Sequence, residues 1–164
     1  MQIKISKFEK AWKNYIKSRN EIKSMMSVTS NVMGDYAELL VRELHHAKKM
    51  PNSNKDFDLI SGKTKIQVKA RQIKKCRTSK SLSIFHSWDF DLLSVVLFNE
   101  DGSLYKVVEM KTNDAKKFSE PNERRGGDII RTTNKFLNSP KLIDRTEEVK
   151  QIIKENTFST DKDS

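Results

Sequence analysis

With 164 residues and a formal net charge of +10, the chain fits one domain with a modest core and a strongly basic surface. Such a surface favours a polyanionic partner. The single cysteine, Cys76, excludes an internal disulfide and a zinc site made only of thiolates, and it is typical of a reducing intracellular compartment.

Two helices are predicted in the first third of the chain. Apolar residues recur every three or four positions over residues 3–26, with seven Lys or Arg residues between them and no long apolar core. We therefore expect an amphipathic helix, neither a signal peptide nor a membrane span. A second helix is predicted over residues 31–49, ended by Pro51. On it, His45 and His46 lack a metal-ligand spacing to other His or Cys, so we expect them at the surface or in an interface.

A β-hairpin is predicted around Gly62. Segments of alternating polar and apolar residues flank this turn residue, which is a strong short-range hairpin signal. If the turn centres on Gly62 and the next residue, Asp58 lies opposite Gln67, with Cβ atoms about 5 Å apart. Lys69 points to the same side as Gln67, two residues further on. The hairpin thus gathers an acid, an amide and an amine on one face.

The remaining elements predict a mixed sheet. The near-continuous apolar run over residues 90–98 is typical of a central strand buried on both faces. His86 and Trp88, just before it, suit either nucleic-acid contact or packing at the sheet edge. A turn over residues 99–102, a strand over 104–110, a short helix over 113–118, a polar loop containing Pro121 and a helix over 145–154 follow. This order predicts an α/β or α+β fold with a central mixed sheet flanked by helices.

The hairpin face suits metal-dependent phosphodiester hydrolysis. Asp58 offers a carboxylate and Gln67 an amide oxygen, which are ligands that Mg²⁺ accepts. Lys69 could orient the attacking water or stabilise developing negative charge. Glu38, a polar residue among apolar neighbours on the second helix, could supply a second carboxylate. The alternative for Glu38 is an exposed ion pair with Arg42 at i+4.

Basic residues cluster next to the hairpin. Between Asp58 and Asp89 the sequence has eight Lys or Arg residues and no acidic residue. An unopposed run of this kind favours a surface that binds a nucleic-acid backbone. Arg124 and Arg125 suit contact with phosphate or a base edge, or a plain solvated loop. The predicted nucleic-acid contacts are Arg71, Lys74, Lys75, Arg77, Lys80, Arg124 and Arg125.

The order of these motifs resembles the PD-(D/E)XK restriction-endonuclease-like nucleases. Glu38, the Asp-Phe-Asp-Leu-Ile segment (56–60) and the Ile-Gln-Val-Lys segment (66–69) carry the resemblance, which covers about residues 30–110. The Gln-x-Lys pair matches the Mrr-like branch. The resemblance implies a restriction-endonuclease-like core and cleavage of double-stranded DNA with Mg²⁺, or alternatively Mn²⁺.

The resemblance also implies roles for individual residues. Asp58, Gln67 and Glu38 would hold the metal, and Lys69 would be the catalytic lysine. The Pro that commonly precedes the aspartate is absent, and Asp56 shares the face of Asp58. We prefer Asp58 because the apolar pair after it matches the family pattern and because it lies opposite Gln67.

Together these patterns predict a restriction-type endonuclease in a prokaryotic or phage-like cytoplasm. We expect an N-terminal amphipathic helix at residues 1–29 for dimerisation or DNA contact, a nuclease-like domain at 30–156 and a disordered tail at 157–164. Cleavage of both strands would favour a homodimer. Two alternatives stay open: a catalytically weak or inactive DNA-binding module on the same fold, and a structure-selective nuclease such as a Holliday junction resolvase.

Overall fold

The computed structural model describes residues 5–25, 31–51, 53–54, 56–74 and 81–158. The helices are α1 (Ile5–Met25), α2 (Val32–His45), α3 (Thr112–Ala115), α4 (Asn134–Leu137) and α5 (Thr146–Phe158). The strands are β1 (Lys48–Lys49), β2 (Leu59–Ser61), β3 (Thr64–Gln72), β4 (Leu92–Phe98), β5 (Leu104–Lys111), β6 (Ser119–Asn122), β7 (Gly127–Ile130) and β8 (Ile143–Asp144). Within the described ranges, no helix is long and apolar enough to cross a membrane.

The fold is a mixture of helices and strands around a central six-stranded sheet in the order β1-β2-β3-β4-β5-β8. Strands β3 and β4 are parallel, and every other neighbouring pair is antiparallel. The predicted central mixed sheet with flanking helices is therefore confirmed, although most of its pairs are antiparallel. Because β3 and β4 are parallel, the chain between them crosses over one face of the sheet.

The predicted hairpin forms in the predicted register. Ile60 pairs with Lys65 in the antiparallel ladder of β2 and β3, as predicted, and the ladder ends at the pair of Leu59 and Ile66. Asp58 lies outside the ladder, with its backbone N–H donating to the Ile66 carbonyl at 3.0 Å, so the predicted pairing of Asp58 with Gln67 is not formed. The turn residue Gly62 has a φ of +59°, in the left-handed region that glycine adopts without steric cost. The hairpin thus follows directly from the alternation and the turn residue.

Two apolar cores cover the two faces of the sheet. Strand β4 is buried from Leu93 to Phe98, as the apolar run predicted for a central strand. Helices α2 and α5 pack on one face, with a core that includes Leu40, Val41, Ile66, Val96, Val107 and Val149. Helices α3 and α4 pack on the other face, with a core that includes Phe85, Leu93, Val95, Met110, Ile130 and Phe136. Each fully buried Val or Leu contributes about 1.5–3 kcal/mol relative to exposure.

The segment around Pro121, predicted as a polar loop, is a second hairpin. Strands β6 and β7 pair antiparallel, joined by a short 3-10 turn at Glu123–Arg125. The hairpin is fixed to the crossover by paired bonds between Phe85 and Asp128, at 2.8 and 3.0 Å. The strands are charged and contain a proline, so they lack the apolar alternation by which strands are recognised.

The C-terminal helix is longer than predicted. Helix α5 continues to Phe158, whereas the sequence pattern predicted an end at Lys154. Residues 157 and 158 of the predicted disordered tail are therefore helical, and residues 159–164 lie outside the described residues.

A buried polar contact joins α2 to β5. His45 Nε2 lies 2.6 Å from Glu109 Oε1, and the Glu109 side chain is only 3% exposed. Arg145 Nε lies 4.0 Å from the other Glu109 oxygen. His45 is therefore half-buried and held by an internal contact, while His46 is exposed as predicted and ends the helix at a φ of +47°.

Candidate functional site

Asp58 lies directly before β2, at the point where the ladder between β2 and β3 ends. Its Oδ2 accepts the backbone N–H of Val68 at 2.7 Å and a second hydrogen bond from Gln67 Nε2. If β2 extended further, a backbone carbonyl of β2 would accept the Val68 N–H; here the Asp58 carboxylate accepts it instead. Two donors on one oxygen fix the orientation of the side chain, and the predicted neighbours Asp58 and Gln67 are in direct contact.

Glu38 and Asp58 line the same cleft, which has a volume of about 180 Å³. The other lining residues are Lys49, Met50, Pro51, Asn54 and Phe57. Helix α2 supplies Glu38 from one side, and the chain entering β2 supplies Asp58 from the other. Asp56 is not part of this lining, so the structure favours Asp58 over Asp56 as the carboxylate of the site.

Glu38 is paired with Lys49. The Lys49 ammonium lies 2.9 Å from Glu38 Oε2 and 3.8 Å from Asp35 Oδ1. The Glu38 side chain is 21% exposed, and Arg42 pairs with Glu43 instead. The alternative of an exposed Glu38–Arg42 pair is therefore wrong.

The two carboxylates of the cleft are electrostatically linked. Burial raises the pKa of Asp58, against the lowering effects of the Val68 N–H and of the Lys69 and Lys49 charges. Burial also raises the pKa of Glu38; the bond from Lys49 opposes this, and the Asp58 charge adds to it. Each carboxylate therefore holds its proton more tightly than an exposed one, and a cation between them would favour the ionised forms.

Lys69 lies on β3 and is held by the crossover segment. Its ammonium donates to the Ile84 carbonyl at 2.9 Å and lies 4.7 Å from the centroid of the Phe85 ring. Burial lowers the pKa of Lys69, and the charge of Asp58 acts in the opposite direction. Lys69 is thus close enough to Asp58 for the two charges to interact, but it is not among the residues that line the cleft.

The predicted nucleic-acid contacts are spread over two elements. Arg71 lies on the polar face of β3, two residues beyond Lys69, and Lys74 follows the strand as an exposed residue. Lys75, Arg77 and Lys80 lie outside the described residues. Arg124 and Arg125 are exposed at the tip of the β6–β7 hairpin, next to the His86 ring, whose Nδ1 lies 3.3 Å from the Gly126 carbonyl oxygen.

Trp88 is half-buried and packs against neighbouring side chains. Its ring stacks on Phe85 at a centroid distance of 4.8 Å, and its indole N–H donates to Asp128 at 2.7 Å. Both the face and the polar edge of the ring are therefore used, which supports packing over stacking on a base. Trp88 also supports Phe85, the ring that lies under Lys69.

The position of Lys49 differs from the one that the sequence predicts. The pattern predicted a helix to residue 49, whereas α2 ends at His45 and Lys49 lies on strand β1. Helices commonly end at a glycine in the left-handed conformation. Here His46 adopts that conformation instead, so the sequence carries no glycine signal for the end of α2. The only stop signal, Pro51, comes six residues after the last helical residue, so nothing local indicated that Lys49 would face the carboxylates.

The donors of the site fit a hard divalent cation. Asp58 and Glu38 provide two carboxylates in one cleft, and Gln67 provides an amide that touches Asp58. Mg²⁺ is commonly held by one or two carboxylates and keeps several waters. No group of three or more His, Cys, Asp or Glu side chains suited to a metal occurs in the described part of the chain. The fit therefore depends on two carboxylates and an amide.

Comparison with protein-family models and with curated proteins finds no match to this chain. Its function is therefore inferred from the residues of the site.

Proposed function

We propose that this protein is a Mg²⁺-dependent endodeoxyribonuclease with a restriction-endonuclease-like core. The observation that carries the proposal is the half-buried Asp58 carboxylate, oriented by Val68 and Gln67 and sharing its cleft with Glu38. Mn²⁺ would serve as an alternative metal by the same donor chemistry.

Asp58, Glu38 and Gln67 would hold the metal. A bound Mg²⁺ would polarise the scissile phosphate and acidify a water molecule. Gln67 presents Nε2 to Asp58, so its amide has to rotate by half a turn before Oε1 faces a cation. In the orientation seen here, the same amide restricts the Asp58 carboxylate.

Lys69 would assist the attack on phosphorus. Its pKa is lowered by burial, so it gives up a proton more readily than an exposed lysine. As an ammonium, it stabilises negative charge that develops on the phosphate. The Ile84 carbonyl and the Phe85 ring restrict its position, which suits a group that has to meet a reacting atom with defined geometry.

The basic residues near the site suit a duplex backbone. Arg71 lies on the face of Lys69, and its buried Nε has no hydrogen-bond partner among the described residues. We infer that Arg71 contacts a phosphate next to the scissile bond, and that Arg124 and Arg125 contact the backbone further away. A homodimer would place one centre on each strand, and the exposed, mutually stacked Trp12 and Tyr15 on α1 suit such an interface.

Cleavage of plasmid and phage DNA tests the proposal. We expect the full chain to cut both substrates with Mg²⁺ and to leave them intact with a chelator, with a defined pattern of mapped ends. Asp58→Ala should reduce the rate by at least about 100-fold while DNA binding persists. Asp56→Ala is the matched control and should cut normally. Equal cleavage by wild type and Asp58→Ala would refute the assignment.

A second candidate is a DNA-binding module without catalysis. It is favoured by the Gln67 amide, which occupies the position of a third carboxylate and donates a hydrogen bond to Asp58. DNA binding without Mg²⁺-dependent cleavage would support the module. Preferential cutting of branched over linear DNA would instead support a structure-selective nuclease.

A further inference from the structure

Lys49 is the cationic side chain that directly contacts a carboxylate of the cleft. Its ammonium lies 2.9 Å from Glu38 and 3.8 Å from Asp35, and its charge also lowers the pKa of Asp58. Lys69, the other lysine near Asp58, is directed at the Ile84 carbonyl instead. The described structure therefore places one partly exposed positive charge against the carboxylates that would hold a metal.

The position of Lys49 is set by the sheet. Strand β1 pairs with β2, and the Met50 N–H donates to the Asp58 carbonyl at 2.9 Å. The backbone that carries Lys49 is thus tied to the backbone that carries Asp58. The long side chain is 31% exposed, so its ammonium can leave Glu38 for solvent without disrupting a core.

A divalent cation and the Lys49 ammonium cannot share Glu38 without strong repulsion. Two positive charges within about 4 Å repel each other strongly near a protein surface. Conversely, removal of the ammonium leaves Glu38, Asp58 and Asp35 with less compensating charge, which increases the attraction for a divalent cation.

We propose that Lys49 is a built-in competitor of the metal: it neutralises the cleft carboxylates in the metal-free protein and must leave Glu38 before a divalent cation binds there. Lys49 therefore sets the metal affinity of the site. This inference rests on the proposed metal-dependent function, and it assigns a regulatory residue within the same site.

Titration of the full chain with Mn²⁺, without DNA, tests this inference by calorimetry and by electron paramagnetic resonance of the unbound ion. We expect Lys49→Met to bind Mn²⁺ at least about ten-fold more tightly than wild type, within the range of typical coupling between two ligands. Lys49→Arg retains the charge and should bind like wild type. Lys48→Met, at the exposed neighbour on β1, is the matched control and should also bind like wild type.

Asp58→Asn in the Lys49→Met background identifies the site, because it should abolish the tightened binding. Circular dichroism verifies the fold of each variant, and Lys49→Gln provides the same comparison if Lys49→Met does not fold. If wild type binds Mn²⁺, the single variant Asp58→Asn does not, and Lys49→Met binds no more tightly than wild type, the competitor role of Lys49 is overturned while the metal site remains. If neither wild type nor Lys49→Met nor Lys49→Gln binds Mn²⁺, the metal-dependent function is overturned as well.

Discussion

The Asp58 side chain is fixed in orientation by hydrogen bonds, yet its ionised form is destabilised by burial. Burial raises its pKa, while the Val68 N–H and the Gln67 amide restrict its orientation. A carboxylate in this state favours a cation over a proton once the cation is present, because the cation repays the loss of solvation. The same burial makes the ionised side chain unfavourable in the metal-free protein.

Asp58→Asn should therefore stabilise the metal-free protein at neutral pH. Because the pKa of Asp58 is raised on folding, the folded state holds the proton more tightly than the unfolded chain does. Its contribution to stability then falls as pH rises from about 4 through the raised pKa. Urea unfolding in chelator should show a more stable Asn variant at pH 7 and a difference that disappears toward pH 4.

Asp56→Asn, the neighbouring acid outside the cleft lining, is the control for this comparison. A less stable Asp58→Asn variant at neutral pH, or a difference that does not change with pH, would contradict the raised pKa of Asp58.

Among the elements, the β2–β3 hairpin and strand β4 were predictable because short stretches of sequence determine them. The Gly62 turn and the alternation around it predicted the register of the β2–β3 hairpin. The contact between Asp58 and Gln67 is made by their side chains beyond the end of that ladder. The apolar run of β4 similarly predicted a central strand. The contact of Lys69 with the crossover segment was not predictable, because it depends on pairing between Phe85 and Asp128, 43 residues apart in the chain.

The β6–β7 hairpin holds the crossover segment through a close approach at Gly127. A Cβ at this position would lie 2.5 Å from the Phe85 carbonyl oxygen and 2.9 Å from Ile84 Cγ1. These two residues are also the ones that restrict Lys69. Glycine at position 127 thus lets the hairpin pack closely on the segment that positions the lysine.

Gly127→Ala should destabilise the protein by about 1–3 kcal/mol, the usual cost of overpacking a well-packed site. Urea unfolding measures the change. The control, Glu120→Ala on the same hairpin, removes only an exposed ion pair with Arg131 and should cost less than about 1 kcal/mol. Wild-type stability of Gly127→Ala would show that the hairpin and the crossover are not in close contact at this point.

In the molecule as a whole, two basic residues lie close in sequence to the candidate site. A net charge of +10 favours polyanionic partners in general, whereas Arg71 and Lys74 lie on or just after the strand that carries Lys69. A general attraction between the basic protein and DNA is changed little by one substitution, whereas the loss of a direct phosphate contact changes the affinity and its salt dependence. A phosphate contact releases counterions and therefore contributes to the salt dependence of binding.

Arg71→Ala should weaken DNA binding and reduce the slope of log K against log salt by about 1. Fluorescence anisotropy with a short duplex at several salt concentrations measures this slope. Arg42→Ala is the control, because Arg42 on α2 is paired with Glu43 and should leave the slope unchanged. An unchanged slope for Arg71→Ala would contradict the proposed contact between Arg71 and DNA.

Asp58 and Lys69 are proposed to act together at one catalytic centre, and single-turnover cleavage of duplex DNA with Mg²⁺ measures whether they do. Asp58→Ala and Lys69→Ala should each lower the rate constant by at least about 100-fold, and the double variant should be little slower than the worse single one. A rate constant within about ten-fold of wild type for either single variant would contradict this proposal.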